Sequence, residues 1–196
     1  MLAVTGLRSK IVEELRSLLP EWERVVRISD VGQAPLCERY LLCAGVLRPK
    51  ALAEQSSAEI GEGLHVNLIR PIELCEEVLA TNDRARICVI GSESGFTWSH
   101  DGAYAAAKAA LHKYVETKRL GSGQQLVVVA PAIISDTLMT IARKDTENLS
   151  KRIDKNPKKR FLKAIEVARM VFHLLYVDEG YTTNVVIRMN GGEHTV

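Results

Sequence analysis

The hydrophobic positions fall into two alternating patterns. Short, nearly continuous apolar runs occur at 2–6 (LAVTG), 24–29 (RVVRIS), 39–45 (RYLLCAG), 85–92 (ARICVIGS), 125–133 (QLVVVAPAI) and 182–189 (TTNVVIRM). Runs this short and this uniformly apolar predict strands covered on both faces. Between them the apolar residues recur at helical spacing. Ile11, Val12, Leu15, Leu18 and Leu19 share one face of a helix over 11–19. Residues 65–79, 103–120 and 161–175 predict three longer helices, the second rich in alanine. Strand alternating with helix predicts an α/β fold: a doubly wound parallel sheet in a three-layer α/β/α arrangement. Gly191-Gly192 closes the last strand. No repeat, linker or low-complexity stretch interrupts the pattern, so residues 1–196 read as a single domain.

Composition changes this picture little. Hydrophobic residues at 46% and charged residues at 26% are globular values and exclude a disordered chain. No apolar run approaches the roughly 20 residues of a membrane helix, and MLAVTG lacks the basic flank of a signal peptide. A cytoplasmic protein with no membrane partner is expected. The net charge of +2 gives no reason to expect nucleic acid as a partner. Cys37, Cys43, Cys75 and Cys88 form no CxxC pair and read as reduced, buried thiols. The five histidines show no metal-ligand spacing, so no metal site is expected.

In open α/β sheets, ligands gather at the carboxyl ends of the strands, near the point where the strand order reverses. Ser92 directly follows one strand. Tyr104 and Lys108 open the next helix, four residues apart and so on one face. Taken singly, each fits a bland role: a turn serine and a helix-surface pair. As an ordered set, Ser92 with Tyr104-Ala-Ala-Ala-Lys108 resembles the short-chain dehydrogenase/reductase family, and the resemblance runs nearly the whole chain. Thr5-Gly6 looks like the start of that family's glycine-rich turn. Cys43-Ala44-Gly45 looks like its Asn-Ala-Gly segment, and Asn67 matches the asparagine of its catalytic tetrad. Pro131-Ala132 stands where the family usually has Pro-Gly. Thr183-Asn184-Val185 and Asn190-Gly191-Gly192 look like its last strand and closing turn.

The resemblance implies a Rossmann-like fold and an NAD-dependent oxidoreductase acting on a carbonyl/secondary alcohol substrate. In it Tyr104 is the general acid/base, Ser92 polarises the substrate oxygen, and Asn67 holds a water of a proton relay. Lys108 hydrogen-bonds the nicotinamide ribose. A free tyrosine has a pKa near 10, and an ammonium at about 4 Å could supply up to roughly 4 kcal/mol of phenolate stabilisation. Cofactor contacts are implied at Gly6, Arg8, Ser9, Lys10, Ile11, Asp30, Ala44, Gly45, Tyr104, Lys108, Pro131, Ile133 and Thr137. Asp30 at the end of the second strand favours NAD, because a carboxylate there binds ribose hydroxyls and repels a 2′-phosphate. Arg8 and Arg27 leave NADP open.

Three features depart from the family pattern. Lys10 and Val12 occupy the second and third glycine positions of the turn; Lys10 could pair with phosphate, and Val12 could pack on the apolar face of its helix. Only 12 residues separate Asp30 from Cys43, too few for a helix, strand and helix. Six strands are therefore expected, with edge strand 3 of the family's 3-2-1-4-5-6-7 order missing. The segment 135–160 stands where the family has its substrate lid, and it is strongly basic through Lys151, Arg152, Lys155, Lys158, Lys159 and Arg160. A solvated, mobile lid is the plain reading; attraction of an anionic substrate is the sharper one. Phe96 and Trp98 line the pocket or cap the loop before Tyr104. A non-catalytic, SDR-like binding or regulatory subunit with weakened dinucleotide binding is the alternative function. The helices at 65–79 and 103–120 are those the family uses for homodimer and homotetramer contacts.

Overall fold

The computed structural model describes residues 1–97, 99–143 and 146–193. Six strands, β1 (Leu2–Thr5), β2 (Val25–Arg27), β3 (Arg39–Leu42), β4 (Arg86–Ile90), β5 (Gln125–Pro131) and β6 (Val186–Met189), form one parallel sheet. Its order is β2-β1-β3-β4-β5-β6, which is the expected seven-strand order without its first edge strand.

The continuous apolar runs hide a period of two. Leu2, Val4, Leu41, Cys88, Ile90, Val127 and Val129 point to one face. There they pack on Ile11, Val12 and Leu15 of α1 (Lys10–Arg16) and on Val167, Ala168 and Val171 of α7 (Ala164–Phe172). Ala3, Tyr40, Leu42, Ile87, Val89, Leu126, Val128 and Ala130 point the other way. They pack on Leu74, Cys75 and Val78 of α3 (Arg70–Thr81) and on Leu111 and Val115 of α4 (Gly102–Thr117). Both faces of the central strands are thus dry, as their composition requires.

The short link from β2 to β3 contains no helix. Glu77 on α3 accepts from the amides of Gly32 (2.8 Å) and Ala34 (3.0 Å). The Tyr40 hydroxyl donates to the Pro35 carbonyl (2.8 Å) and accepts from the Cys37 amide (3.1 Å). These side chains replace the hydrogen bonds that the missing strand would supply.

Three elements differ from the sequence reading. The helix expected at 65–79 begins earlier, as α2 (Ser57–Leu64), and passes through a π-turn at His65–Ile69 into α3. Ser56 and Glu59 form a capping box that starts α2; Gly61 and Gly63 mask its periodicity. The lid is not without structure: it contains α5 (Leu138–Ile141) and α6 (Thr146–Lys155). The helix expected from 161 starts at Ala164, because Leu162 bridges Ile134 and the Ala164 amide donates to Asp136 (2.9 Å).

Candidate active site

The carboxyl ends of β1, β3, β4 and β5 open into a cleft of about 1740 Å³. That exceeds the roughly 300–1,000 Å³ of an ordinary single-ligand pocket. Its floor is built by β1 and β3. The Thr5 hydroxyl accepts from the amides of Cys43 (3.0 Å) and Ala44 (3.1 Å), which ends β3 at Leu42 and turns the chain. Gly6 follows with φ +68°, and a Cβ there would lie 2.8 Å from the Ala44 nitrogen. Only glycine allows the two turns to meet so closely. Ser9 caps α1 by accepting from the Ile11 amide (3.3 Å), and the Cys43 thiol donates to the Ser9 hydroxyl (3.2 Å).

The opposite wall carries the chemistry. Asp101 caps α4 by accepting from the Tyr104 amide (3.0 Å), and it also accepts from the Arg48 amide (2.8 Å). One turn further along α4, the Lys108 ammonium is 3% exposed and donates to the Ile90 carbonyl (2.9 Å). Burial lowers its pKa to about 8. Its nitrogen lies 5.7 Å from the Tyr104 ring centroid. Burial raises the Tyr104 phenol above its ordinary value, while the hydrogen-bonded Ser92 side chain pulls the other way. The net direction for the phenol is therefore upward, not the lowering that the sequence suggested. The ammonium is engaged with Ile90, and desolvation dominates the phenol.

The loop that presents Ser92 is held chiefly by His112, Glu93 and Arg188, to which the sequence assigned no role. The Ser92 hydroxyl accepts from the Ser94 amide (3.2 Å), and the Ser92 amide donates to Nε2 of buried His112 (3.3 Å). Glu93 is 8% exposed and accepts from Arg188 Nε (3.1 Å) and Asn190 (3.2 Å), tying the loop to the end of β6. Phe96 packs on His112 with ring centroids 4.8 Å apart and the planes tilted by 32°, and it does not line the cleft; it caps the loop. Trp98 lies outside the described residues. His112 was detectable in principle, since it continues the Tyr104–Lys108 face at i+4.

Other expected residues separate into two groups. Gly6, Arg8, Ser9, Lys10, Ile11, Ala44, Gly45, Ser92, Tyr104, Lys108, Pro131, Ile133 and Thr137 all line the cleft. Asn67 and Asp30 do not. Asn67 is fully buried in the π-turn, and its amide donates to the carbonyls of Val46 (2.8 Å) and Gly63 (2.9 Å) and accepts from the Val46 amide (3.1 Å). Both its donor hydrogens are thus committed to shaping the turn after β3. Asp30 is 70% exposed at its side chain and faces Arg70 at 3.9 Å. Arg27, by contrast, lines the cleft. Lys10 pairs with Glu13 (2.6 Å) and Glu14 (3.0 Å) on its own helix, and Val12 is buried in the core.

The lid contributes Lys151, Arg152, Lys155, Lys158 and Arg160 to the cleft. Lys151 pairs with Glu147 and Arg160 with Glu166. Arg152, Lys155 and Lys158 have no acidic partner among the described residues. Asn156 anchors the lid's end, donating to the Asn190 carbonyl (3.0 Å).

The residues present suit a dinucleotide in one specific respect. Lys108 is a buried ammonium with one acceptor among the described residues, which leaves donors for a hydroxyl in the cleft. Among the described residues, no helix is long and apolar enough to cross a membrane.

Comparisons with known proteins agree with this architecture. The family model described as short chain dehydrogenase matches residues 40–148. The 3-oxoacyl-[acyl-carrier-protein] reductase FabG of Buchnera aphidicola subsp. Baizongia pistaciae is 28% identical over 160 residues, covering 76% of this chain and 63% of that protein. The acetoacetyl-CoA reductase of Allochromatium vinosum is 27% identical over 157 residues, with the same coverage. The chain thus spans about 63% of the length of these curated relatives. Among solved structures, an oxidoreductase of the short chain dehydrogenase/reductase family from Burkholderia thailandensis superposes with a TM-score of 0.84 at 21% identity, covering 97% of this chain and 91% of that one. Levodione reductase gives 0.84 at 20% identity, covering 97% and 96%. At this identity the structural matches speak to the fold. With the family model matching more than half of its length, the chain belongs to the short-chain dehydrogenase/reductase family.

Proposed function

We propose that the protein reduces a carbonyl group with a reduced nicotinamide cofactor, Tyr104 serving as the proton donor. The observation that carries this reading is the convergence of Ser92, Tyr104 and buried Lys108 on one wall of the cleft. Bound in the cleft, the cofactor supplies hydride to the carbonyl carbon. The Ser92 hydroxyl hydrogen-bonds the carbonyl oxygen, and the Tyr104 hydroxyl donates its proton there as charge develops. The phenol is protonated at neutral pH, and burial raises its pKa further, so a proton is available to donate. Lys108 holds a ribose hydroxyl and supplies positive charge beside the phenol.

For the cofactor, placement favours the 2′-phosphorylated form. Arg8 and Arg27 line the cleft with no ion pair among the described residues, while the Asp30 carboxylate stands outside it. NADP is therefore the better fit, although the sequence favoured NAD. For the substrate, the names of both curated relatives contain a 3-oxoacyl group, acetoacetyl being 3-oxobutanoyl. Arg152, Lys155 and Lys158, which have no acidic partner among the described residues, together with Leu138 and Met139 in the cleft wall, suit an anionic carrier with an apolar acyl portion. A 3-oxoacyl thioester fits both.

The test is oxidation of NADPH and NADH in the presence of acetoacetyl-CoA, with wild type and Tyr104→Phe. Loss of a positioned general acid costs roughly 100- to 10,000-fold, so Tyr104→Phe should lose kcat on that scale with KM nearly unchanged. Turnover close to wild type would remove Tyr104 from proton transfer. One observation favours the non-catalytic alternative: Lys10 is paired along its own helix and Val12 fills the core where the family has glycine. Failure of both cofactors to bind would select it.

A further inference from the structure

His112 stands where no part of the proposed chemistry needs it. It lies four residues beyond Lys108 and eight beyond Tyr104, on the same face of α4. The side chain is 3% exposed. Burial, with Lys108 and Arg188 nearby, lowers its pKa to about 4, so the ring is neutral at physiological pH. The Ser92 amide donates to Nε2 at 3.3 Å. Nε2 is therefore the unprotonated nitrogen, and the ring proton resides on Nδ1. Nδ1 is buried and has no hydrogen-bond partner among the described residues.

The loop from Gly91 to Phe96 is wrapped around this ring. A Cβ at Gly91 would lie 2.4 Å from Nε2 and 2.5 Å from Val128 Cγ1, and one at Gly95 would lie 2.6 Å from Cε1 and 3.0 Å from the Ala109 nitrogen. Glycine at both positions lets the loop backbone lie against the imidazole and its neighbours. Phe96 covers the ring, and the Arg188 guanidinium lies 4.4 Å over Phe96, itself paired with Glu93. An unsatisfied buried nitrogen is destabilising, a cost that a leucine at this position would not carry.

We infer that His112 is a positioning residue for the proposed reaction: its Nε2 fixes the Ser92 backbone and thereby sets the Ser92 hydroxyl against the Tyr104 phenol. The inference rests on the functional reading above. A histidine is suited to the task because its acceptor is rigid and reaches past the helix surface. Two glycines then bring the loop backbone to it. With the amide held by His112 and the hydroxyl turned by the Ser94 amide, Ser92 has one orientation relative to Tyr104.

Two substitutions of similar size separate this role from mere packing. His112→Gln keeps an oxygen acceptor near the Nε2 position; His112→Leu removes it. The inference predicts that His112→Leu lowers kcat at least about tenfold, equivalent to about 1.4 kcal/mol, with KM and cofactor affinity within about twofold of wild type. It also predicts that His112→Gln recovers most of that loss. In His112→Leu the pKa on the alkaline limb of the kcat/KM profile should rise, because Ser92 no longer pulls the phenol down. A His112→Leu enzyme with wild-type kcat and pH profile, or a Gln variant as impaired as the Leu variant, would overturn the inference.

A second measurement needs neither variant nor turnover. Nitrogen-15 NMR of wild type labelled at histidine should show one ring locked as the Nδ1-protonated neutral tautomer from about pH 6 upward. The opposite tautomer, or a freely titrating set of five rings, would overturn the inference even if both variants failed to fold. A wild-type protein that turns over no carbonyl with either cofactor would instead overturn the functional reading, and the tautomer would still decide the geometry.

Discussion

Replacing Lys108 with methionine should make the ligand-free protein more stable while abolishing its chemistry. The ammonium is 3% exposed and its pKa falls from 10.5 to about 8, chiefly through desolvation. At about 1.4 kcal/mol per pH unit, that drop corresponds to about 3 kcal/mol of destabilisation at pH 7, where both folded and unfolded states carry the charge. Methionine fills a similar volume and removes the charge. It also removes the hydrogen bond to the Ile90 carbonyl, which offsets about 1 kcal/mol. The net gain is about 2 kcal/mol, or roughly 4–8 °C in Tm for a chain of this size. The sign reverses with pH. Between pH 8 and 10.5 the unfolded chain holds the proton and the folded chain releases it, so wild-type stability climbs across that window relative to the variant. Urea melts of both proteins at several pH values from 7 to about 10.5 read this directly. A variant less stable than wild type at pH 7, or a difference that does not change with pH, would refute the reasoning.

Gly6→Ala should cost about 2–5 kcal/mol in urea melts, since φ +68° disfavours a Cβ and that Cβ would lie 2.8 Å from the Ala44 nitrogen. Stability should also fall by up to about 3 kcal/mol as pH drops from 6.5 toward 4, because His112, lowered from 6.5 to about 4, takes up its proton only on unfolding; His112→Gln should flatten that limb. Arg27→Ala should raise the Kd for NADPH about tenfold and leave NADH unchanged, while Asp30→Ala should alter neither, as read by fluorescence titration. Replacing Arg152, Lys155 and Lys158 together with glutamine should lower kcat/KM for acetoacetyl-CoA and weaken its dependence on salt; an unchanged salt slope would place the substrate elsewhere.

Much of the fold was legible because strands covered on both sides must be apolar throughout. The runs at 85–92 and 125–133 gave β4 and β5 to within a few residues. The missing edge strand was legible from chain length alone, since 12 residues cannot build it. The start of α2 was not, because Gly61 and Gly63 weaken the helical stripe and capping by Ser56 and Glu59 compensates locally. The cleft residues on the Tyr104–Lys108 face were legible because helical spacing fixes their direction. The destinations of Asp30 and Asn67 were not. Asp30 follows a three-residue strand whose exit depends on long-range pinning by Glu77 and Tyr40. Asn67 turns inward through a π-turn that alters the helical phase. His112 was hidden for a different reason: its role depends on two glycines in a distant loop, and only the folded chain brings them to the ring.

Whether the cleft holds a dinucleotide beside Tyr104 and Lys108 decides the proposed function. Titration of the wild-type protein with NADPH, followed by the fluorescence of the reduced nicotinamide, measures this. Saturable binding with a Kd below about 1 mM, a free energy of about −4 kcal/mol or better, weaker for NADH and lost in Gly6→Ala, is the predicted result. No saturable binding of either cofactor up to about 5 mM would contradict the account.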